Sequence, residues 1–215
     1  MDELDILKKK WQQQEETLPQ LSYKDIYKMI LKKSSSIVKW IFYISIAEIV
    51  LWTVLSFFVP ESSKQINEKM GLDGVFLAFN IINYLIFIGF IILFYRNYIK
   101  IKVTDSIKEL MQNIIKTRKT VKYFVIYSVS TSALLLIGTN IYYYFNQHQL
   151  FTLIDKYLQQ NPNMTEEEFL QIFFIIQVVL GLIVIGIMLL FYRIVYGILL
   201  RRLHNNYKEL EKIEM

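Results

Sequence analysis

Apolar positions in this chain gather into four long, nearly unbroken blocks at 37–59, 75–95, 121–145 and 170–192. Each has roughly the ~20 residues that carry an α-helix across ~30 Å of hydrocarbon at 1.5 Å per residue. Soluble helices show one apolar stripe, whereas these blocks are apolar all round and leave too little polar surface to cover them in water. The pattern therefore predicts an all-α polytopic membrane protein with four transmembrane helices. Aromatic residues mark the block ends: Trp40, Trp52, Phe57 and Phe58 flank the first, and Tyr142, Tyr143 and Tyr144 close the third. Phe-Tyr-Arg ends both the second (94–96) and the fourth (191–193). That is the pattern of an interfacial belt with a snorkelling arginine.

Helical periodicity continues outside the blocks. Ser22, with Asp25 three residues on, reads as the N-cap of a helix over 23–33, and Thr104 or Asp105 as the cap of a segment in which Ile107, Leu110, Met111, Ile114 and Ile115 recur at helical spacing. Both lead-ins are expected to run straight into their membrane helices. Beyond Arg193 the stripe Ile194, Leu199, Leu200, Leu203, Leu210 and Ile213 prolongs the fourth helix. A helix over 147–160 is expected to lie on the interface through Leu150, Leu153, Ile154 and Tyr157. Asn161-Pro162-Asn163 then turns the chain, and Thr165 with Glu168 forms a capping box for the fourth block. Residues 1–18 are expected to form a separate amphipathic helix, with Leu4, Leu7 and Trp11 on one face and Lys8, Lys9 and Lys10 on the others. Pro19 hinges it to the rest.

Charge orients the bundle. Of the 24 Lys and Arg, 8 lie at or before Lys39, 8 between Arg96 and Lys122, and 5 from Arg193 onward, leaving Lys64, Lys69 and Lys156 for the other two loops. The positive-inside rule places both termini and the 96–122 loop in the cytoplasm, and the acidic stretch Glu166, Glu167, Glu168 outside. A net charge of +5 is then explained by basic residues at an anionic leaflet, without a nucleic acid partner. The 54% hydrophobic content and mean hydropathy of +0.33 agree with the membrane assignment. Thirty-six mostly polar residues precede the first block, so no cleavable signal peptide is expected. The absence of cysteine excludes disulfides, thiol catalysis and thiolate metal sites.

The two halves resemble copies of one unit. At an offset of 83, Lys33, Val38, Lys39, Ser45 and Leu51 match Lys116, Val121, Lys122, Ser128 and Leu134, and at an offset of 97 Gly89 and Leu93-Phe94-Tyr95-Arg96 match Gly186 and Leu190-Phe191-Tyr192-Arg193. The chain thus divides into the N-terminal segment 1–18, a first two-helix repeat at 19–103, and a second at 104–215 with a cytoplasmic C-terminal helix. Both units begin inside, so the tandem hairpins are parallel repeats. Gly89 and Gly186 are expected to allow close helix contact.

Candidate chemistry is sparse. Glu48 is the only carboxylate within a predicted span and sits near mid-bilayer, where a lone charge costs several kcal/mol. Counted from the basic end, Asn83, Tyr84 and Thr131 lie at a similar depth, and with Asn80 and Ser128 they predict a polar seam through the bundle. The simplest role for Glu48 is a hydrogen-bonded clamp; the functional alternative is a proton-linked or ligand-binding group. His148 and His204 fall on opposite sides of the membrane and share no metal. No phosphate loop, nucleophile elbow or HExxH motif occurs.

Met1-Asp2-Glu3-Leu4-Asp5 through Trp11, the string 32–40 (Lys-Lys-Ser-Ser-Ser-Ile-Val-Lys-Trp) and the four blocks resemble an uncharacterised family of small four-span bacterial membrane proteins. Genomes often label that family beta-carotene 15,15'-monooxygenase. The resemblance implies the bacterial inner (cytoplasmic) membrane and, through neighbouring sigma-factor genes, a regulatory setting. The label itself conflicts with the residues, because carotenoid oxygenases are β-propellers that hold iron with several histidines. The expectation is therefore a non-enzymatic membrane protein of regulatory or scaffolding type without cofactor or metal. Its partners are the lipid bilayer and a cytosolic protein engaged through Leu4, Leu7 and Trp11, and homo-oligomerisation is compatible with it. The alternative is a small transporter or channel component using the seam around Glu48.

Overall fold

Ser22 starts the first long helix by accepting a hydrogen bond from the Lys24 amide at 3.4 Å, while its carbonyl takes the amides of Asp25 and Ile26. This helix, α1 (Tyr23–Phe57), runs without a break from polar lead-in to apolar span, about 50 Å in all. The computed structural model describes residues 22–104, 106–158 and 165–214. The N-terminal segment with Leu4, Leu7 and Trp11, and the Asn161-Pro162-Asn163 turn, lie outside the described residues. Among the described residues five further helices follow: α2 (Glu61–Lys69), α3 (Asp73–Lys102), α4 (Ile107–Phe145), α5 (Gln147–Leu158) and α6 (Glu166–Glu214).

Most of the punctuation is local chemistry. Thr165 and Glu168 exchange hydrogen bonds, Thr165 N–H to the carboxylate at 3.0 Å and Glu168 N–H to the hydroxyl at 3.3 Å, which is the expected capping box. The bond from the Thr165 amide also holds the Glu168 carboxyl below its ordinary range. The start of α4 differs from expectation: Ser106, not Thr104 or Asp105, is the cap and accepts from the Glu109 amide at 3.2 Å. Thr104 is buried and is engaged instead with the Lys100 carbonyl and with Asn113, whose amide donates to it at 3.0 Å.

Sequence periodicity missed α2 altogether. It begins after Pro60 with Glu61 in its first turn and ends with Lys69 in its last. There Gly71 N–H bonds Glu68 O and Leu72 N–H bonds Asn67 O, both at 2.9 Å, in a Schellman motif with Gly71 at φ 72°. Proline at the start, opposite charges at the two ends and glycine just past the last turn were the available signals. An alanine at Gly71 is expected to cost about 1–2 kcal/mol through its left-handed backbone, since nothing crowds the site. Thermal unfolding in mild detergent measures this, with Gly74→Ala, also uncrowded but at an ordinary φ, as the comparison.

Around the bundle the order is α1, α3, α4, α6, so every neighbouring pair is antiparallel and α1 faces α4 across the diagonal. One end collects the starts of α1 and α4 and the ends of α3 and α6; it is called the basic end. At the other, the capped end, lie α2 and α5. Among the described residues four helices are long and apolar enough to cross a membrane. In no apolar window is more than 17% of the residues buried, so their outer faces, among them Leu85, Leu134 and Leu182, must meet a nonpolar medium.

Burial is uneven along the bundle. The main core runs from the middle of the spans to the basic end and includes Val38, Ile41, Phe94, Leu110, Ile114, Phe124, Tyr196, Leu203 and Leu210. Leu203 and Leu210 bring the predicted stripe of α6 against the lead-ins of α1 and α4, whereas Ile194 of that stripe is exposed. Polar ties fasten the same region: Asn206 donates to Ser34 at 2.9 Å with both residues buried, Asn97 donates to Thr120 at 3.2 Å, and the Tyr27 hydroxyl donates to the Thr104 carbonyl at 2.9 Å. A second, smaller cluster of Met70, Leu72, Tyr143 and Leu150 closes the capped end. There the Tyr142 hydroxyl donates to Met70 O at 2.7 Å and the Tyr143 hydroxyl to Asn67.

Close helix contact occurs at a glycine other than the two expected. A Cβ at Gly181 would come within 2.4 Å of the Leu136 side-chain tip, so α6 sits close on α4 there and a larger residue would require that leucine to move. At Gly89 and Gly186 a Cβ would meet nothing within 4 Å. Matching positions in two similar helices do not establish that both face a neighbour.

Candidate functional site

The buried face of α1 carries Ile30, Ser34, Ile37, Val38, Ile41, Ser45 and Glu48, a helical repeat in which three positions are polar. Because α6 packs along that face, Glu48 meets Tyr192 and Tyr196, one turn apart on α6. The Tyr192 hydroxyl donates to one carboxyl oxygen, and the Tyr196 hydroxyl to the other at 3.3 Å. All three residues are at most 5% exposed, and the two phenol rings lie 5.8 Å apart. Both carboxyl oxygens are thus satisfied by hydroxyls on another helix, which makes a cross-bundle tie. No hydrogen bond joins Glu48 to a basic residue or to a second acid among the described residues, and no cluster there has the ligands for a metal.

The remaining seam residues assemble elsewhere. Asn83 accepts from the Tyr127 hydroxyl at 2.7 Å and donates to Phe79 O at 3.0 Å, tying α3 to α4. Tyr84 shares a 3.0 Å hydrogen bond with Thr53, tying α3 to α1. Asn80, Asn83, Tyr84, Ser128 and Thr131 all line one cavity of about 560 Å³ on the capped side of the bundle, and Glu48 is not among its walls. Depth along the helices was a sound guide to which residues are polar within the spans. It carries no information about rotation, and rotation turns Glu48 toward α6. The tyrosines that receive it had a signal in their four-residue spacing, but Tyr192 belongs to the Phe-Tyr-Arg string that suggested an interfacial belt. In the fold only Arg193 of that string is exposed, while Tyr192 points into the bundle.

The cavity is bounded by α1 through Ile49, Trp52 and Ser56, by α3 through Phe76 to Phe87, by α4 through Ser128 to Tyr143, and by α6 through Gln177 to Met188. Its volume is within the ~300–1,000 Å³ usual for small-molecule sites, and its walls are largely apolar with a few amides and hydroxyls, the usual makeup of a ligand pocket. Most of those polar groups are already engaged: Ser132 donates to Ser128 O and Thr139 to Leu135 O, each at 2.9 Å. Two buried atoms on the wall have no partner, the Ser128 hydroxyl oxygen and the Gln177 side-chain carbonyl oxygen. Both atoms have essentially no accessible surface, so they are shut off from the cavity space itself.

Toward the basic end the cavity is closed by packed rings. Phe124 touches Phe87, Phe90, Phe94, Tyr192 and Tyr196 at centroid distances of 5.3–6.3 Å. The two histidines are at opposite ends of the molecule: His148 is exposed on α5, and His204 on α6 pairs with the Arg118 guanidinium at 3.0 Å and stacks on Tyr207.

With these features in place, the comparison with known families adds one assignment: residues 24–215 match the model of the family described as Domain of unknown function (DUF8845), and the chain belongs to that family. No curated protein and no solved structure matches it.

Proposed function

We propose that this chain is a non-enzymatic, multi-pass membrane protein of regulatory type, which holds a lipid-soluble ligand in its capped half and engages a cytosolic protein at its basic end. The observation that carries this reading is the asymmetry of packing. A continuous core and several buried polar ties occupy one half, and a ligand-sized cavity occupies the other. The N-terminal segment with Leu4, Leu7 and Trp11 is the proposed docking element, because it is amphipathic and hinged at Pro19. Transport is the second reading, favoured by the buried Glu48; the packed rings around Phe124, between the cavity and the basic end, rank it below binding.

Orientation and origin belong to the same proposal. The basic end lies in the cytoplasm of a bacterial cell, and the protein resides in the inner membrane, as the distribution of lysine and arginine and the resemblance of residues 1–11 and 32–40 suggest. The beta-carotene monooxygenase label given to that bacterial group is set aside on chemical grounds, since nothing in the chain supplies a set of iron-binding histidines. Tandem duplication is supported by burial in phase: Ser34, Val38, Ile41 and Ser45 of α1 and their counterparts Thr117, Val121, Phe124 and Ser128 of α4 are all buried. The second helices of the two units differ, Tyr95 being exposed and its counterpart Tyr192 buried against Glu48.

Affinity purification in mild detergent tests the function. The full chain is expected to retain a stoichiometric cytosolic protein that a variant lacking residues 1–18 loses while still inserting in the membrane; an unchanged set of partners would remove the docking role. Single cysteines at the exposed positions Ser63 and Thr152 are expected to react with an impermeant thiol reagent in intact cells, and one at exposed Lys119 is not. Labelling at Lys119 would reverse the orientation.

A further inference from the structure

We infer that the groove between α4 and α6 at the basic end binds the phosphate of an anionic phospholipid through Arg118, Lys122 and Arg201. The inference is independent of the cavity and requires only that the basic end lie at a bilayer surface. It goes beyond the general attraction of lysine and arginine to an anionic leaflet, because it assigns one groove. Three observations carry it.

The first is an arginine held in place without a counter-charge. The Arg118 guanidinium donates across the groove to Nδ1 of His204 at 3.0 Å, and the His204 ring stacks on Tyr207. A ring nitrogen that accepts is unprotonated, so His204 is neutral and its Nε2–H remains a donor. A guanidinium paired with a carboxylate is neutralised, whereas one steadied by a neutral ring keeps its charge and most of its five N–H donors. Arg118 is half-buried, and no carboxylate pairs with it among the described residues. On the two helices the nearest acids are Glu209 and Glu211, five and seven residues past His204, and Glu109, nine before Arg118, or about 8–14 Å along the axes.

The second is convergence. Lys122 lies one turn from Arg118 on the same side of α4, and Arg201 one turn before His204 on α6. Because the two helices are antiparallel, the Arg118–His204 contact sets Lys122 opposite the level of Leu200 and Arg201. Lys122 and Arg201 are exposed and, among the described residues, neither is ion-paired. Three cations from two helices thus flank one neutral donor. That set fits a phosphate, which the arginine forks bind through paired oxygens and the lysine as a point charge.

The third is depth. Lys122 stands at the start of the apolar block of α4, the level at which lipid headgroups meet a spanning helix. One turn further into the span from Arg201, Gly197 is exposed, and a Cβ there would meet nothing within 4 Å. With exposed Ile126 of α4 and Ile194 of α6 it leaves a shallow apolar track beside the cations, suited to an acyl chain. A soluble phosphate compound has no use for that track, which makes a lipid the occupant.

The test is native mass spectrometry of the full chain released from neutral detergent micelles and titrated with phosphatidylglycerol. The unaltered chain is expected to retain this lipid in preference to phosphatidylcholine. Lys122→Gln, at an exposed position that does not burden the fold, should weaken retention about fivefold, the scale of one cation at an anionic surface. Arg118→Lys keeps the charge but loses the fork, and His204→Phe keeps a ring against Tyr207 but loses the acceptor; each should weaken retention about threefold at an unchanged melting temperature. The controls are exposed Lys100 of α3 and exposed Lys116, which shares its side of α4 with Thr120, the partner of Asn97 on α3. Glutamine at either should change retention less than about twofold. Equal losses at every position, or none at Lys122, would show a diffuse attraction and overturn the site. Displacement by inorganic phosphate or glycerol phosphate as effective as that by short-chain phosphatidylglycerol would overturn the lipid assignment. No preference over phosphatidylcholine in the unaltered chain would overturn both.

Discussion

Replacing Phe124 by alanine is expected to destabilise the bundle by about 2–3 kcal/mol, the largest loss from any single ring. Phe124 is 1% exposed and meets five aromatic rings drawn from α3 and α6. Four of its contacts, with Phe90, Phe94, Tyr192 and Tyr196, are edge-on at 63–78°, the arrangement that adds attraction beyond simple burial. In a soluble core such a truncation costs about 3–5 kcal/mol, part of it the transfer of the ring from water. Separated helices in a membrane remain in lipid, so that part is absent and the cost falls to the packing lost around the void. Leu134→Ala, ten residues along α4 at a position 68% exposed, is the comparison and should change stability by a few tenths of a kcal/mol at most. Denaturation in mixed micelles, followed by tryptophan fluorescence, measures both. Equal effects at the two positions would show that the ring cluster does not hold the two halves of the bundle together.

How much of this was readable from residues alone depends on which degree of freedom a feature uses. The four long apolar helices, the Ser22 cap and the Thr165–Glu168 box are set by contacts within a few residues or by the length of an apolar run, and these agree with the structure. The start of α4 was misplaced because Thr104, Asp105 and Ser106 all suit a cap; tertiary contact decides among them, Thr104 being occupied by Asn113. Helix α2 escaped notice because its hydrophobic content is low and its end is defined by one glycine turn. Rotation about the helix axes was the least legible quantity. A block that is apolar all round has no periodic stripe to orient it, as α3 illustrates with only Phe94 and Ile101 buried. Hence residues of like depth separated into two groups, Glu48 with the tyrosines of α6 and Asn83 with Tyr127, and the glycine that permits close packing proved to be Gly181.

The tie between Glu48 and the two tyrosines should behave as a coupled unit, and a mutant cycle can separate its net value from the cost of breaking it. Glu48→Leu removes the acceptor and leaves the Tyr192 and Tyr196 hydroxyls buried among rings, with a hydrophobic residue where the carboxyl was. Stranding buried donors costs about 1–3 kcal/mol, and hydrogen bonds between membrane helices have been worth about 0.6–2 kcal/mol, so a loss of about 1–2 kcal/mol is expected. Glu48→Gln keeps a carbonyl acceptor for one phenol and a similar shape, and it should lose less than about 1 kcal/mol. Tyr192→Phe alone leaves one carboxyl oxygen without its hydroxyl and should also destabilise. Adding Tyr192→Phe and Tyr196→Phe to Glu48→Leu removes donors and acceptor together, and the triple variant should recover most of the loss because no stranded polar group remains. Unfolding in mixed micelles reads all five proteins on one scale. Additive losses would show that the three side chains act independently and that Glu48 is not a clamp. If instead Glu48→Gln retains stability but abolishes a proton-dependent flux or a cellular phenotype, the carboxyl has a role that hydrogen bonding does not exhaust, and the transport reading displaces the regulatory one.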